Sequence, residues 1–381
     1  MIDKRMTRAG EARYEVRLRG TDGKERSRTF RTKKEAERYE RAHHAAIDSG
    51  VWIDPRAGRV TLTSWAAEWQ RTVVHLRAKT RKTYDVNLRN HILPTLGDHE
   101  LGKITPSMLR AWLSDVTAKE GRGGKPIAAA TVAQAYRTLN RVLAAAVDDE
   151  LIGRNPLRGV KPPRIEPQPM RFLTHDQVAT LTASVDERYR ALVYVAAYTG
   201  LRAGELIALR RSHVDLLRRT ITVTEQVQYT DGRYVASPPK SAAGRRSVAL
   251  PRMVADELEL HLRAEADADA LVFPAPHGGY LHLENFRKRV WLPAVRQAGL
   301  EPLRIHDLRH TCASLAIAAG ADIKVLQHML GHASASLTLD RYGHLMPGQA
   351  ESVAERLDLL ARAAQPTPTA AVASIGSKLG A

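Results

Sequence analysis

The chain has 381 residues, enough for two or three domains and at least one sizeable core. Its 58 Lys/Arg against 41 Asp/Glu give a formal charge of +17, which points to a polyanionic partner, nucleic acid first, with a generally basic surface as the plainer alternative. One cysteine, Cys312, excludes an intramolecular disulfide framework, and no stretch approaches the roughly 18 apolar residues of a membrane-spanning helix, so a soluble, cytoplasmic protein is expected. The opening MIDKRMTRAGEARYE has no apolar run, so no secretory leader is expected there.

Along the chain, Tyr14, Val16 and Leu18 alternate with charged residues as in a half-buried strand. Thr21-Asp22-Gly23-Lys24 supplies a turn, and Glu25 to Arg31 can return as a second strand. Thr32 and Glu35 form a capping box, so a helix is expected to about Ser49, stopped by Gly50. Residues 1–50 carry 14 Lys/Arg against 9 Asp/Glu, a charge suited to DNA. From Thr61 to Gly159 the pattern is helical. Leu62, Trp65, Trp69 and Val73 share one face, and Thr80 is expected to cap a second helix ended by Pro94. Thr105-Pro106 starts a third helix, and Val132 to Val147 mark a fourth that ends near Gly153. The tryptophans at helical spacing read as core residues. Lys161-Pro162-Pro163 through Gln168-Pro169 reads as a linker.

Beyond it, a helix capped at Thr174 and a buried run from Tyr189 to Tyr198 are expected. Three short strands follow at Ile221–Val227, Arg233–Ala236 and Arg246–Leu250, with Asp231-Gly232 turning the first into the second. The fold class is therefore α+β and multidomain. A small sheet-plus-helix domain at 1–54 precedes an all-α domain at 61–160. A mostly helical domain with a small antiparallel sheet spans 171–360, and a mobile tail covers 365–381.

Four stretches carry chemistry. In TGLRAGEL (199–206), Arg202 opens a helix and can present a planar fork to a phosphate. In SPPKSAAGRRSV (237–248), Lys240 lies at the tip between two strands. In HDLRH (306–310), His306 and Arg309 share a face at a helix start, where free N–H groups suit an anion. LGHASASLTLDRYGH (330–344) places His332 after a glycine stop and Tyr342 on a short helix beyond. Singly, each reads as an ordinary surface or turn residue. Together and in this order, two arginines, a lysine, two histidines and a late tyrosine form a phosphoryl-transfer set. No carboxylate pair suggests a metal site, and no Walker-type glycine loop appears.

In these boxes the chain resembles the tyrosine recombinase (phage integrase) family. TGLRAGEL is similar to its first arginine box, HDLRHTCASLAIAAG to its His-x-x-Arg-His box, and LGHASASLTLDRYGH to its Leu-Gly-His box ending in tyrosine. The helical segment is similar to the family's core-binding domain, and residues 1–54 to the arm-binding domain of lambda-type integrases. The resemblance implies that Arg202 and Arg309 clamp a scissile phosphodiester, assisted by His306 and His332. Tyr342 would attack phosphorus to give a 3′-phosphotyrosyl bond, and Lys240 would protonate the leaving 5′-oxygen. Glu205 and His310 are expected to support these residues, Cys312 to be a small core residue, and Asp307 and Asp340 to be caps or surface charges. No cofactor or metal is expected. The implied partners are double-stranded DNA attachment sites, a homotetramer on DNA, a host DNA-bending factor and an excision factor, with a nucleoid-associated location in a bacterial host and no membrane contact. A chromosome-dimer resolvase, a transposon recombinase and a catalytically silent DNA-binding regulator remain alternatives. A type IB topoisomerase fits the boxes less well.

Overall fold

The computed structural model describes residues 2–364 apart from 8–9, 22, 51, 55, 122–123, 167–168, 240, 264–266, 347–348 and the side chains of 349–353. The expected mobile tail at 365–381 and the expected general acid Lys240 lie outside the described residues. The chain divides into two compact units, Met1–Gln168 and Pro169–Ala381.

In the first unit, the alternating strand Ala12–Arg19 is the centre of a three-stranded antiparallel sheet. Glu25–Phe30 pairs on one side, with Arg28 opposite Val16, and Ile2–Met6 on the other, with Ile2 opposite Val16. The strand Ile2–Met6 goes beyond the sequence reading, because IDKRM has too little apolar alternation to announce a strand. The helix Lys33–Asp48 starts at the Thr32–Glu35 capping box and covers Val16 and Leu18 with Ala36. The chain leaving this helix stays fastened to the sheet. Trp52 Nε1 donates to His43 Nδ1 at 3.0 Å, His43 Nε2 lies 3.1 Å from the Arg19 carbonyl, and Arg26 pairs with Asp54 at 2.5 Å.

The helices Leu62–Thr72, Ala78–Asn87, Pro106–Ala118 and Ala129–Asp148 enclose a second core. Trp65, Trp69 and Trp112 are buried in it, as expected. Trp65 Nε1 donates to the Val142 carbonyl at 2.9 Å and Trp112 Nε1 to that of His91 at 2.7 Å, so these rings are held in the core and turned away from base stacking. Three boundaries differ from expectation. Thr80 is not a cap: the helix starts at Ala78 behind extended Arg77, and the Thr80 N–H already donates to the Arg77 carbonyl at 2.9 Å. Pro94 does not end the helix, because Leu88–Ile92 widens to a π turn that runs on into Leu93–Leu96. Proline lacks an N–H and crowds the carbonyl four residues back. The wide turn makes room, and Lys119 Nζ takes the freed Asn90 carbonyl at 3.1 Å. The same Leu-Pro device follows the π turn Arg287–Trp291 in the second unit. The fourth helix stops at Asp148, before Gly153, because Glu150 adopts φ +56°.

In the second unit, Thr174 and Gln177 form a capping box for the helix His175–Ala183. The apolar helix Arg190–Thr199 is buried against the helix Asp307–Ala318. The expected strand Ile221–Val227 is instead two strands in separate sheets. Thr220–Val223 lies between Val214–Asp215 and Arg246–Ala249, while Gln226–Thr230 forms a hairpin with Arg233–Ser237. The break falls where Glu225 pairs with Arg210 at 3.2 Å, a partner that local periodicity does not reveal. The hairpin turn is the expected Asp231-Gly232, with φ +53° and +77°.

Candidate active site

Every α-helix leaves carbonyls without partners at its C-terminus, and that end carries partial negative charge. The second unit uses two such ends to collect cations. The helix Arg190–Thr199 stops at Gly200 with φ +64°, and the helix Ile323–Leu330 stops at Gly331 with φ +61°. A side chain is excluded at both caps. A Cβ on Gly200 would lie 2.7 Å from Leu330 Cδ2, and one on Gly331 would lie 2.9 Å from an Arg246 guanidinium nitrogen.

At the end of Ile323–Leu330, three successive carbonyls each accept from a different arginine. Met329 O accepts from Arg246 Nε at 2.8 Å, Leu330 O from Arg309 Nη2 at 2.5 Å, and Gly331 O from Arg202 Nη2 at 2.9 Å. Arg309 Nη1 also donates to the Gly200 carbonyl at 2.5 Å. The two arginines singled out by sequence are thus brought together.

Glu205 is the counter-charge. Its Oε1 accepts from Arg202 Nη1 at 2.7 Å, and its Oε2 from Arg246 Nη2 at 3.0 Å and from the Arg202 backbone N–H at 2.9 Å. Burial works to raise its pKa, but Arg246 and then Arg202 outweigh it and hold the carboxyl below its ordinary value. Arg309 is pulled down to about 9, first by burial and then by Arg202 and Arg246, and it still carries its charge at neutral pH.

The turn before HDLRH is fixed by Asp307, which sequence alone allowed to be a surface charge. It is buried, accepts from the Arg304 backbone N–H at 2.7 Å and pairs with the Arg304 guanidinium at 2.6 Å. His306 stands exposed at the helix start, its ring 5.0 Å from that of His310. Partial burial, then Arg309 and Arg341, keep the His306 pKa below the usual histidine value. Tyr342 ends the helix Ala335–Tyr342 and is 0 % exposed, packed among Ala313, Leu326 and Leu330. Its hydroxyl is hydrogen-bonded to His310 Nδ1 at 2.8 Å. The His332 ring lies nearly parallel to the Tyr342 ring at 6.5 Å, and its Nδ1 pairs with Thr338 Oγ1 at 2.9 Å. Burial raises the phenol pKa while Arg309 and Arg341 pull it back. Cys312 is buried, as expected, and its thiol is pushed up to about 12, which leaves it inert at neutral pH.

Burial, with like-charged neighbours, lowers His310 and His332 from 6.5 to about 4, so both rings are neutral at pH 7. Between about pH 4 and 6.5 the unfolded chain then binds more protons, so stability is complete above 6.5 and declines as pH falls toward 4. At about 1.4 kcal/mol per pH unit the loss reaches on the order of 3 kcal/mol per ring. Thermal melts from pH 7 to pH 4 should show this fall, and His332→Gln should remove about half of it, the His310 share remaining. Parallel curves for wild type and variant would remove His332 as its source.

Arg246 is the residue that sequence reading missed. It is 5 % exposed, sits at the start of a strand, and looks there like any alternating charge. The second arginine of GRRSV, facing inward in a strand whose apolar partners are Val248 and Leu250, was the available signal.

The arrangement is a cluster of three guanidinium groups, those of Arg202, Arg246 and Arg309, fixed on helix-end carbonyls, with the buried Tyr342 within the electrostatic reach of Arg309. The sequence profile of the Phage integrase family matches residues 171–348, and that of the phage integrase N-terminal SAM-like domain matches residues 61–116. A protein described as a prophage phiRv2 integrase in Mycobacterium tuberculosis is 31% identical over 94% of this chain and 95% of its own length. Among solved structures, the Tn1549 transposon integrase in complex with a circular intermediate DNA is similar over 78% of this chain and 99% of that chain (TM-score 0.67, 20% identity). A lambda integrase tetramer bound to a Holliday junction is similar over 87% and 96% (TM-score 0.54, 20% identity). The chain belongs to the phage integrase family of tyrosine recombinases, whose reaction is the cleavage and rejoining of DNA.

Proposed function

We propose that the second unit cuts and rejoins attachment-site DNA through Tyr342, with Arg202 and Arg309 holding the scissile phosphate. The observation that carries this reading is the gathering of both arginines on the C-terminal carbonyls of the helix Ile323–Leu330, with His332 and Tyr342 following directly in the chain. Negative charge grows on the phosphoryl oxygens in the transition state, and cations already fixed by helix carbonyls stabilise it with no reorganisation. His306 and His332 donate to those oxygens or move protons, and His310 supports the phenol through its hydrogen bond. Because the Tyr342 hydroxyl is buried, attack requires the helix Ala335–Tyr342 to shift and expose it. The covalent tyrosyl link conserves the energy of the broken phosphodiester, so rejoining needs neither nucleotide nor metal.

Lys240 is proposed as the acid that protonates the leaving 5′-oxygen. An alkoxide leaves poorly without a proton, whereas a thiolate, with a reference pKa near 8.5, leaves readily. Lys240→Ala should therefore cleave a normal duplex slowly and recover most of its rate when sulfur bridges phosphorus to the 5′ carbon. Equal defects on both substrates would demote Lys240 to a DNA contact.

The domain assignment is likewise proposed: residues 1–54 as an arm-site module, 61–160 as the core-site module and 171–360 as the catalytic module. Working as a homotetramer on two duplexes, with a host bending factor and an excision factor in the bacterial nucleoid, completes the reading. Among the described residues no helix is long and apolar enough to cross a membrane. The bonds of Trp52 and Asp54 to His43 and Arg26 support a boundary after residue 54. Deleting residues 1–54 should abolish protection at distal arm-type sites in footprints and leave core-site cleavage within about threefold of wild type, because the helical core is built without that segment. Unchanged footprints at every site would make residues 1–54 an assembly or stability element.

A further inference from the structure

A buried carboxylate beside a phosphate-binding arginine poses an electrostatic problem. Glu205 pairs with Arg202 at 2.7 Å, and a one-to-one pair would leave Arg202 with little net charge to offer a phosphate. Arg246 changes the balance. Its side chain is 1 % exposed, as is that of Glu205, and the two pair at 3.0 Å. The local set is then three guanidinium groups, those of Arg202, Arg246 and Arg309, against one carboxylate.

Arg246 is also fully tied in space. Nε donates to Met329 O, Nη1 to Gly244 O at 3.0 Å, and Nη2 to Glu205. These three bonds link the turn Ala242–Gly244, the first arginine box and the helix end that precedes His332. Gly331 passes so close to the guanidinium that a Cβ would lie 2.9 Å from it. Such a desolvated, fork-like contact to three separate segments suits the planar guanidinium of arginine better than a point-charge ammonium.

We propose that Arg246 is a positioning residue for strand cleavage: it takes up the charge of Glu205, leaves the charge of Arg202 free for the scissile phosphate, and locks the Ala242–Gly244 turn against the helix end before His332. This rests on the reading of Arg202 as part of the phosphate clamp. Arg246 itself need not touch DNA.

The test is single-turnover cleavage of a nicked duplex that traps the covalent adduct, made with either a normal phosphodiester or a methylphosphonate at the scissile position. The methylphosphonate carries no charge and has little use for a free cation. Arg246→Met should be about 100-fold slower than wild type on the phosphodiester and within about threefold on the methylphosphonate. Arg246→Lys, which keeps the charge, should recover at least tenfold of the loss. The double variant Glu205→Gln/Arg246→Met removes the carboxylate as well, so it should cleave the phosphodiester faster than Arg246→Met alone, at a temperature below both melting transitions. It also serves if Arg246→Met alone fails to fold. A deficit of equal size on the two substrates, or a double variant whose melting temperature recovers while its rate does not, overturns the proposal and leaves Arg246 a folding element. Arg202→Ala separates the two levels: if it cleaves normally, the clamp reading fails whatever Arg246 does.

Discussion

Tyr342→Phe is expected to bind core-site DNA with wild-type affinity and to form no covalent adduct. The phenyl ring still fills the space among Ala313, Leu326 and Leu330, so the fold survives. What is lost is the hydroxyl, both as nucleophile and as the partner of His310 Nδ1. An unpartnered buried nitrogen costs about 1–3 kcal/mol, so the variant should melt a few degrees lower than wild type. Gel shifts and a nicked trapping substrate measure the two effects separately. An adduct of normal yield from the variant would remove Tyr342 from the chemistry altogether.

Arg309→Lys should lower single-turnover cleavage about 1000-fold while DNA affinity changes little. Arg309 spans two helix ends through the carbonyls of Gly200 and Leu330, and a point-charge ammonium cannot satisfy both. Charge is kept, but the planar fork is lost, and with it the alignment that a preorganised oxyanion site needs. Sulfur at the leaving position should not rescue this variant, since the non-bridging oxygens are unchanged. A loss under tenfold would mean that charge alone, without directed hydrogen bonds, suffices at this position.

The contrast with Arg246 shows what sequence could and could not reveal. Arg202, Arg309, His332 and Tyr342 lie in stretches where glycine stops and helix starts are written locally, and the structure places them on the helix ends that those signals predict. The capping boxes at Thr32 and Thr174 and the Asp231-Gly232 turn were legible for the same reason, because each depends on residues within a few positions. Features decided by distant partners were not. Arg246 is meaningful only because Glu205 lies 41 positions away in sequence and Met329 another 83 beyond Arg246. The split of the expected strand Ile221–Val227 follows from the pairing of Glu225 with Arg210, and the π turn before Pro94 is relieved by Lys119. His310, ranked only as supporting, proves to bond the tyrosine hydroxyl, a partner 32 positions further along the chain that local pattern does not reveal.

The covalent step itself offers the most direct measurement. Wild-type protein is incubated with a nicked core-site duplex in excess EDTA and without nucleotide. The trapped adduct is digested with protease and nuclease, and the peptide that carries nucleotide mass is sequenced by tandem mass spectrometry. The account predicts a 3′-nucleotide phosphate on Tyr342 and on no other residue. A modification at another side chain, or strand cleavage that appears only when magnesium is restored, would contradict it.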